Sequence, residues 1–285
     1  MSDGMGREVS GADTTYQYYG GTSEGEKKLW ADLNAWMHMQ AVQWEPAGAD
    51  LLEELGDGTG LRAVDMGCGP LGWLRLLSRW VGPNGEVVGT EASETTAEPA
   101  RLTVRSEGLN NVSVVVDDVF DSRLPERSFD LVHARFMLGP VGRPAEQLAT
   151  YCRLVKPGGL LVLEEPDMGS WSFNPDAPAN TRLNELALGW GRASGRDLST
   201  GRQIRTVLRA YSEEPVIRAH VLVLPPGHVY RALALMFGTA GRDALAKTIG
   251  AEEIDSLLAQ AEEELRDPEL WCTTCTLVQG YARLP

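Results

Sequence analysis

The sequence predicts an α/β fold in which a mostly parallel sheet is covered by helices on both faces. Three observations carry this prediction. From Leu61 onward, short apolar runs alternate with amphipathic stretches, and strands that alternate with helices form parallel sheets. A glycine-rich loop separates the first predicted strand, at 63–66, from the first predicted core helix. With 43% hydrophobic residues, the 285-residue chain can also bury one large core.

The individual elements follow from apolar periodicity and from breaker residues. Before the core, the spacing predicts one helix that ends near residues 44–46 and a second helix at 47–55. Within the core, strands are predicted at 63–66, 87–90, 112–116, 129–133 and 160–164, and helices near 73–81, 95–107 and 143–155. Lys156-Pro157-Gly158-Gly159 predicts a tight turn into the strand at 160, because proline fixes φ and glycine supplies a positive φ.

Past residue 166, the pattern predicts helices over about 179–211, a β-like run at 216–224, further helices over 229–265 and a final strand at 271–282. One of these helices carries an apolar stripe from Ile254 to Leu265, and its acids lie on the other side. We expect these acids to form a solvated face.

Charge and composition exclude several kinds of partner. The formal net charge is −14, and no cluster of Lys or Arg is present that could replace counterions on a polyanion. We therefore expect no nucleic-acid partner and no membrane partner. Four cysteines are too few for a disulfide framework in a chain of this size. Because no apolar stretch reaches 18 residues and the N-terminus lacks signal-peptide features, the sequence predicts a cytoplasmic protein.

The most informative segment is the loop after the first predicted strand, which reads VDMGCGPLG over residues 64–72. It contains the pattern G-x-G-x-x-G, formed by Gly67, Gly69 and Gly72. Such glycines let the backbone approach a ligand closely at a helix N-terminus, where free N–H groups and the helix dipole favour an anionic group. By itself the pattern suits the pyrophosphate of a dinucleotide, so an NAD-dependent oxidoreductase is one alternative.

Three acids at predicted strand ends favour a different ligand. Asp65 lies beside the glycine loop, where its charge would repel a pyrophosphate. Glu91 ends the second strand, where a carboxylate can accept hydrogen bonds from both hydroxyls of a ribose. Asp118 follows the third strand and is placed to accept from an adenine amino group. A nucleoside that carries positive charge fits these three carboxylates better than a dinucleotide does.

With these motifs, the chain resembles the class I S-adenosylmethionine-dependent methyltransferases, in particular their UbiE-like small-molecule branch. The resemblance covers roughly residues 60–167 and is carried by VDMGCGPLG, VVGTEAS, VVVDDVFDSRLPERSFDLVHAR and KPGGLLVLEEPD, in family order. It implies a doubly wound, Rossmann-like sheet of seven strands with an antiparallel final hairpin, and S-adenosylmethionine as the cofactor. The implied parts are an N-terminal tail and helical lid at 1–56, a cofactor-binding core at 57–167, and substrate cap helices with the final β-hairpin of the same domain at 168–285.

The resemblance also assigns roles to individual residues. At the methionine end of the cofactor and at the loop backbone, the resemblance implies contacts from Asp65, Gly67, Cys68, Gly69 and Arg135. Those implied at the ribose and the adenine are Glu91, Ala92, Asp118 and Val119. Pro70 and Leu71 stand where the family has a pair of small residues, so the detail of the loop departs from the family pattern.

No catalytic residue is assigned, because methyl transfer from a sulfonium is an in-line displacement that needs alignment and desolvation more than a base. Candidates for the acceptor side are Tyr19, His38, Asp167, Trp171 and His228. Glu165 and Asp167 can equally hold the turn that follows the fifth strand. His133 lies inside a predicted buried strand and is expected to be a core histidine. Cys272 and Cys275 have the spacing of a thioredoxin-type WCxxC redox motif. Residues three apart in a strand face opposite sides of the sheet, so we expect no redox role.

The sequence therefore predicts methyl transfer to a small, largely apolar or aromatic metabolite. Aromatic residues spread between 168 and 265 favour an apolar cap over the acceptor. Two alternatives stay open, namely S-adenosylmethionine binding for another purpose such as cyclisation, and the NAD-dependent oxidoreductase. The sequence does not identify the acceptor or the methylated atom. A homodimer is left open, and no metal is expected.

Overall fold

A computed structural model describes residues 24–285. The chain divides into two compact units, residues 1–123 and 124–285. Three strands of the first unit and four strands of the second belong to a seven-stranded sheet, and three short strands form a second sheet. The predicted seven-stranded, mostly parallel α/β fold is thus confirmed, whereas the three-part division of the chain stays a prediction. None of the helices within 24–285 has the length and hydropathy of a membrane span.

The first unit supplies the glycine loop. Its elements are α1 (Glu24–Leu55), β1 (Arg62–Met66), α2 (Leu74–Val81), β2 (Glu86–Glu91), α3 (Glu94–Ser106) and β3 (Val112–Val116). The strands lie in the order β3-β2-β1 and pair in parallel, with Asp65 opposite Gly89 and Glu91 opposite Val116. Residues 63–66 and 87–90 are buried, as expected for strands covered on both faces. The carboxyl ends of the three strands therefore meet at one edge.

Helix α1 runs through Pro46 without interruption, so the prediction of two helices that divide at residues 44–46 is wrong. A proline inside a helix costs about 3 kcal/mol. Pro46 itself is exposed, whereas Trp44 and Leu51 are fully buried, and burying such side chains offsets a cost of this size. Gly48 allows α1 to approach α2 closely, since a Cβ there would lie 2.6 Å from Leu76 Cδ1.

The second unit continues the sheet and adds a layer of helices. Its helices are α4 (Leu138–Val141), α5 (Pro144–Leu154), α6 (Pro178–Ala193), α7 (Ile204–Arg209), α8 (Leu233–Ala240), α9 (Arg242–Ile249) and α10 (Ala251–Glu264). Its strands are β4 (Phe129–Arg135), β5 (Val155–Asp167), β6 (Ser172–Asn174), β7 (Val216–His220), β8 (Val223–Leu224), β9 (Trp271–Thr273) and β10 (Thr276–Arg283). In the main sheet the order is β4-β5-β10-β7, where β4 and β5 are parallel and β10 is antiparallel to both of its neighbours. The expected antiparallel final strands are confirmed.

Residues 156–159, predicted as a tight turn, lie inside β5 instead. The end of the chain pairs with them, because the Gly158 N–H donates to Leu284 O at 2.8 Å and the Leu284 N–H donates to Gly159 O at 3.0 Å. Gly158 does adopt the positive φ expected of it, at 78°. The irregularity appears as a register shift in the neighbouring strand, between Phe129 and Leu131.

Two runs predicted as single strands divide between the two sheets. Residues 216–224 form β7 in the main sheet and β8 in the small sheet, and residues 271–282 lie in β9 and β10. Both runs break at the same place, where the Leu222 N–H donates to Thr274 Oγ1 at 3.0 Å and the Thr274 N–H donates to Leu222 O at 2.9 Å. The helices predicted over about 179–211 are observed as α6 and α7.

The helical layer of the second unit has its own apolar core. Ile254 and Ala261 of α10 are fully buried and share a cluster with Leu183 of α6, so the predicted stripe is confirmed. The acids of α10 are exposed except for Glu264, which is half-buried. Its carboxylate accepts from the backbone N–H groups of residues 179 and 180 at 2.8 and 3.0 Å, and so caps the start of α6.

Candidate functional site

The glycine loop needs glycine for two different reasons. Gly67, Gly69 and Gly72 all have a positive φ, of 65°, 58° and 49°. At Gly69 a Cβ would meet no atom within 4 Å, so its outer side is open and only the backbone angle requires glycine. At Gly72 a Cβ would lie 2.3 Å from both Asp65 Oδ2 and Cys68 O, so crowding requires glycine there as well.

Asp65 holds the far end of this loop. Its side chain is buried, and Oδ2 accepts a hydrogen bond from the Trp73 N–H at 2.7 Å. Trp73 immediately precedes α2, so the carboxylate satisfies a backbone donor at the start of that helix and interacts favourably with its dipole. The structure thus gives Asp65 a capping role, in addition to any contact it makes with a ligand.

The end of β2 holds the near side of the loop. The Gly67 N–H donates to Thr90 Oγ1 at 3.1 Å, and the Cys68 N–H donates to Thr90 O at 2.9 Å. The Gly69 N–H donates to Glu91 Oε1 at 2.5 Å. Three successive loop donors are therefore satisfied by two residues of the neighbouring strand. Sequence reasoning missed this role of the Thr90 side chain, because only the pairing of β1 with β2 brings that hydroxyl to the loop.

Glu91 titrates near neutral pH. Burial raises the pKa of its carboxyl to about 7, and this effect outweighs the hydrogen bonds from Gly69, Thr96 and Ala92 that favour the ionised form. The residue is nevertheless partly exposed, at the open side of the loop. When ionised, the carboxylate accepts more hydrogen bonds than when protonated, so its capacity to hold hydroxyl groups increases as the pH rises through about 7.

Two adjacent acids follow β3. Asp118 is partly exposed, and its Oδ1 accepts from the Phe120 N–H at 2.9 Å. Asp117 is buried, and its Oδ1 accepts from the Arg123 N–H at 2.8 Å. Within the described residues, Asp117 Oδ2 makes no hydrogen bond. Position in the sequence points to Asp118 alone, but the buried acceptor of Asp117 is a second candidate at this strand end.

In the second unit, Arg135 ends β4 beside a buried polar cluster. Its Nη1 lies 3.8 Å from Glu164 Oε2 and makes no hydrogen bond within the described residues. Glu164 is also 3.3 Å from His133 Nε2 and accepts from Gln279 Nε2 at 2.5 Å. Burial alone would raise the pKa of Glu164, but the His133 hydrogen bond and the Arg135 charge hold that pKa below its ordinary value. His133 is fully buried, as predicted for a core histidine.

Glu165 and Asp167, at the end of β5, have different partners. The Glu165 carboxylate accepts from three backbone N–H groups, those of residues 137, 138 and 139, at 2.9, 2.7 and 3.2 Å. It therefore fixes the start of α4, and not the turn after β5 that was the structural alternative for this residue. Burial raises the pKa of Glu165 to about 7. Asp167 Oδ2 accepts from Arg202 Nε at 2.7 Å.

Comparison with known proteins identifies the core of this chain. Residues 63–159 match the family model described as a methyltransferase domain. This segment is similar to methyltransferase domains. A demethylmenaquinone methyltransferase from Geobacillus kaustophilus is 34% identical over 116 residues, which are 41% of this chain and 50% of that protein. An uncharacterized 37.1 kDa protein from a Streptomyces fradiae transposon is 37% identical over 127 residues, 44% of this chain and 36% of that protein. The chain thus spans half or less of the length of these relatives.

Solved structures agree with the fold of this chain. The YcgJ protein from Bacillus subtilis matches with a TM-score of 0.51 and 18% identity, over 82% of this chain and 97% of that chain. A protein from Bacillus halodurans that is assigned to the methyltransferases matches with a TM-score of 0.52 and 15% identity, over 84% and 99%. These structures show the fold, and the likeness to class I, S-adenosylmethionine-dependent methyltransferases of the UbiE-like branch rests on the family match and on the demethylmenaquinone methyltransferase.

The first unit of the chain fits S-adenosylmethionine. Glu91 offers an acceptor for ribose hydroxyls, and Asp117 Oδ2 is a buried acceptor to which an adenine amino group can donate. The open outer side of Gly69 lets a ligand approach the backbone. No Lys or Arg occurs within residues 64–72, where a pyrophosphate would need charge compensation. The residues present therefore fit a cationic nucleoside and do not favour NAD.

Two of the residues proposed for the acceptor side, Trp171 and His228, lie next to Tyr230. Trp171 packs against Tyr230 and Phe173, with ring centroids 5.7 and 6.4 Å apart. His228 Nδ1 accepts from the Tyr230 N–H at 3.2 Å and so begins a short 3₁₀ helix. His38 is half-buried on α1 in the first unit, and Tyr19 lies outside the described residues.

The cysteine pair has no feature of a redox site. Cys272 lies in β9 and Cys275 follows it, so the two are not in one strand as predicted, but both are free and buried. Burial raises the pKa of each thiol to about 12. Neither residue carries the thiolate at neutral pH that redox chemistry requires.

Proposed function

We propose that this protein transfers the methyl group of S-adenosylmethionine to a small, largely apolar or aromatic acceptor. The observation that carries the proposal is the Glu91 carboxylate at the end of β2. It accepts from the Gly69 N–H inside a glycine loop whose outer side is open. An acceptor for a ribose is thereby placed beside a backbone that a cofactor can approach. The match of residues 63–159 to methyltransferase domains supports the same activity.

In this proposal, Glu91 binds the ribose hydroxyls, with Ala92 beside the adenine, and Asp118 and Val119 hold the adenine edge. S-adenosylmethionine supplies a methyl group on a positively charged sulfur, which is already activated for displacement. The remaining task of the chain is to align the acceptor in line with the carbon–sulfur bond and to exclude water. Gly67, Cys68 and Gly69 take the methionine end of the cofactor, and Asp65 holds the start of α2 behind them through the Trp73 N–H. Arg135 is proposed as a further cofactor-binding residue.

On the acceptor side, we assign an apolar wall to Trp171, which the rings of Phe173 and Tyr230 hold in place. Asp167 and His228 lie in the same unit and would bind polar groups of the acceptor. His38 and Tyr19 are further candidates for the acceptor side, and Tyr19 lies outside the described residues. A small molecule is then the main partner, and we place the enzyme in the cytoplasm, where its four free cysteines stay reduced.

Calorimetry with S-adenosylmethionine, S-adenosylhomocysteine and NAD tests the cofactor assignment. Asp65→Ala and Glu91→Ala should each weaken binding of the first two by about 1 to 3 kcal/mol, the cost of a lost charged hydrogen bond. Glu86→Ala is the matched control, because Glu86 lies at the opposite end of β2 and pairs with Arg62 at 2.8 Å. Binding of NAD without the other two compounds, or unchanged affinity in both test variants, would refute the assignment.

A labelled-methyl assay against phenols, quinones, indoles and amines identifies the acceptor. Trp171→Ala should raise the KM for an aromatic acceptor and leave the affinity for S-adenosylhomocysteine unchanged, because the change removes only the apolar wall. Labelling of strongly polar acceptors alone would contradict the proposed acceptor class. Cofactor binding without any methyl transfer would favour a non-methylating role such as cyclisation.

A further inference from the structure

One segment of the second unit forms the edge of both sheets. Strand β7 stands at one end of the main sheet, and β8, three residues further on, stands at one end of the small sheet. Between residues 24 and 285, no strand pairs with the outer edge of either. Such edges present backbone N–H and C=O groups to any other strand, and proteins usually protect them with charged side chains or prolines.

This segment and the 3₁₀ helix that follows it hold most of the exposed large apolar side chains. Seven large apolar residues are exposed among residues 33–285, and four of them are valines between positions 216 and 229. They are Val216, Val221, Val223 and Val229, with exposed fractions of 38%, 50%, 67% and 62%. These four residues, together with β7 and β8, are called the valine edge here. Apolar residues gathered at one place on a surface indicate an interaction site more strongly than the same residues scattered singly.

The charge pattern indicates what covers the valine edge. Asp and Glu make up 40 of the 285 residues, yet none occurs between Glu214 and Asp243. Two copies of a chain with a net charge of −14 repel each other. This repulsion is smallest where the facing surfaces carry no acids. A strongly basic partner would instead prefer the acidic remainder of the surface, so the pattern favours a second copy of this chain.

We propose that the valine edge is a self-association surface, at which two copies meet about a two-fold axis and add their edge strands to each other. A two-fold interface brings the same residues of both copies together, which suits an apolar patch without acids. At about 3.3 Å per residue, residues 216–224 are roughly 30 Å long, and a strip about 10 Å wide covers roughly 300 Å² per copy. Stable interfaces bury about 800 Å² per copy, so we expect association in the micromolar range.

Light scattering and sedimentation over about 1 to 200 µM protein test this proposal. The wild type should pass from one copy to two. The double variant Val221→Glu/Val223→Glu should raise the dissociation constant by about 100-fold or more, because it places acids at the centre of the contact. The control is Val42→Glu/Leu102→Glu, which changes two exposed apolar residues of the first unit, with exposed fractions of 44% and 59%, and adds the same charge. It should leave the dissociation constant within about threefold.

Each of the other results overturns the proposal. A mass of one copy at all concentrations excludes self-association, and dimers that resist the test variant, or that both variants weaken equally, exclude this surface. Hydrogen exchange of residues 216–224 adds a second readout, since protection should increase with protein concentration. Strong protection of residues 216–224 that does not depend on protein concentration would show that another part of the same chain covers the valine edge.

Discussion

Replacement of Gly72 by alanine tests whether the glycine loop and Asp65 form one structural unit. A Cβ at this position would lie 2.3 Å from Asp65 Oδ2, the oxygen that accepts from the Trp73 N–H at 2.7 Å. The carboxylate must therefore leave its backbone donor if the loop keeps its path. If the loop moves instead, Cys68 O, also 2.3 Å away, must shift with it. Either response disturbs the end of β1 and the start of α2 together.

Two terms make up the expected cost of Gly72→Ala. A φ of 49° costs an alanine about 1 to 2 kcal/mol, and the loss of a buried hydrogen bond to a charged group costs about 1 to 3 kcal/mol. The free energy of unfolding should thus fall by about 2 to 5 kcal/mol. Gly60→Ala is the matched control, because Gly60 has a φ of 78° but a Cβ there meets no atom within 4 Å. Gly60→Ala should lower the free energy of unfolding only by the cost of the positive φ.

Urea unfolding, followed by tryptophan fluorescence, measures both variants, and calorimetry measures their affinity for S-adenosylhomocysteine. Gly72→Ala should lose affinity as well as stability, whereas Gly60→Ala should keep the affinity of the wild type. The reasoning fails if the two variants lose equal stability within about 0.5 kcal/mol, because the contact with Asp65 would then contribute nothing.

Three further outcomes follow from the titrating groups. Ionised Glu91 accepts the ribose hydroxyls, so the affinity for S-adenosylhomocysteine should rise by up to about tenfold per pH unit as the pH approaches about 7, and calorimetry on Glu91→Gln should show a flat profile. The folded-state pKa of Glu165 is raised from 4.5 to about 7, so its contribution to stability is complete below pH 4.5 and is lost as the pH rises through about 7. Urea unfolding measured between pH 4.5 and about 7 should show that the free energy of unfolding decreases in the wild type and decreases less in Glu165→Gln. Cys272 and Cys275, with pKa values of about 12, should react with a disulfide reagent only after unfolding, and rapid native labelling would contradict their burial.

The sequence predicts those parts of the fold that depend on local pattern. The strands at 63–66 and 87–90 are buried on both faces, and such strands appear as continuous apolar runs. The errors lie where a distant segment decides the outcome. Residues 156–159 continue β5 because Leu284 pairs with them, and the run at 216–224 divides where Leu222 bonds to Thr274. No local pattern contains these partners.

The candidate site likewise has residues that local sequence pattern predicts and residues that it does not. The loop glycines and Glu91 follow from spacing and from their position at strand ends, and the structure places Gly69 and Glu91 in direct contact. The hydroxyl of Thr90 and the buried oxygen of Asp117 could not be predicted, because their roles depend on which atoms the neighbouring backbone presents. Glu165 is a similar case, since its three donors come from the start of α4.

The two acids that bond to the glycine loop and the start of α2, Asp65 and Glu91, therefore differ in what a mutation can reveal. Asp65 is buried and bonded to the backbone of the loop, so its removal changes the shape of the loop whether or not it contacts a cofactor. Glu91 is partly exposed and holds a single loop donor, so its removal affects affinity more directly. A loss of binding in Asp65 variants alone would be explained by the loop. The assignment of a ribose site depends on Glu91, where the charge can be removed by glutamine while most of the packing is kept.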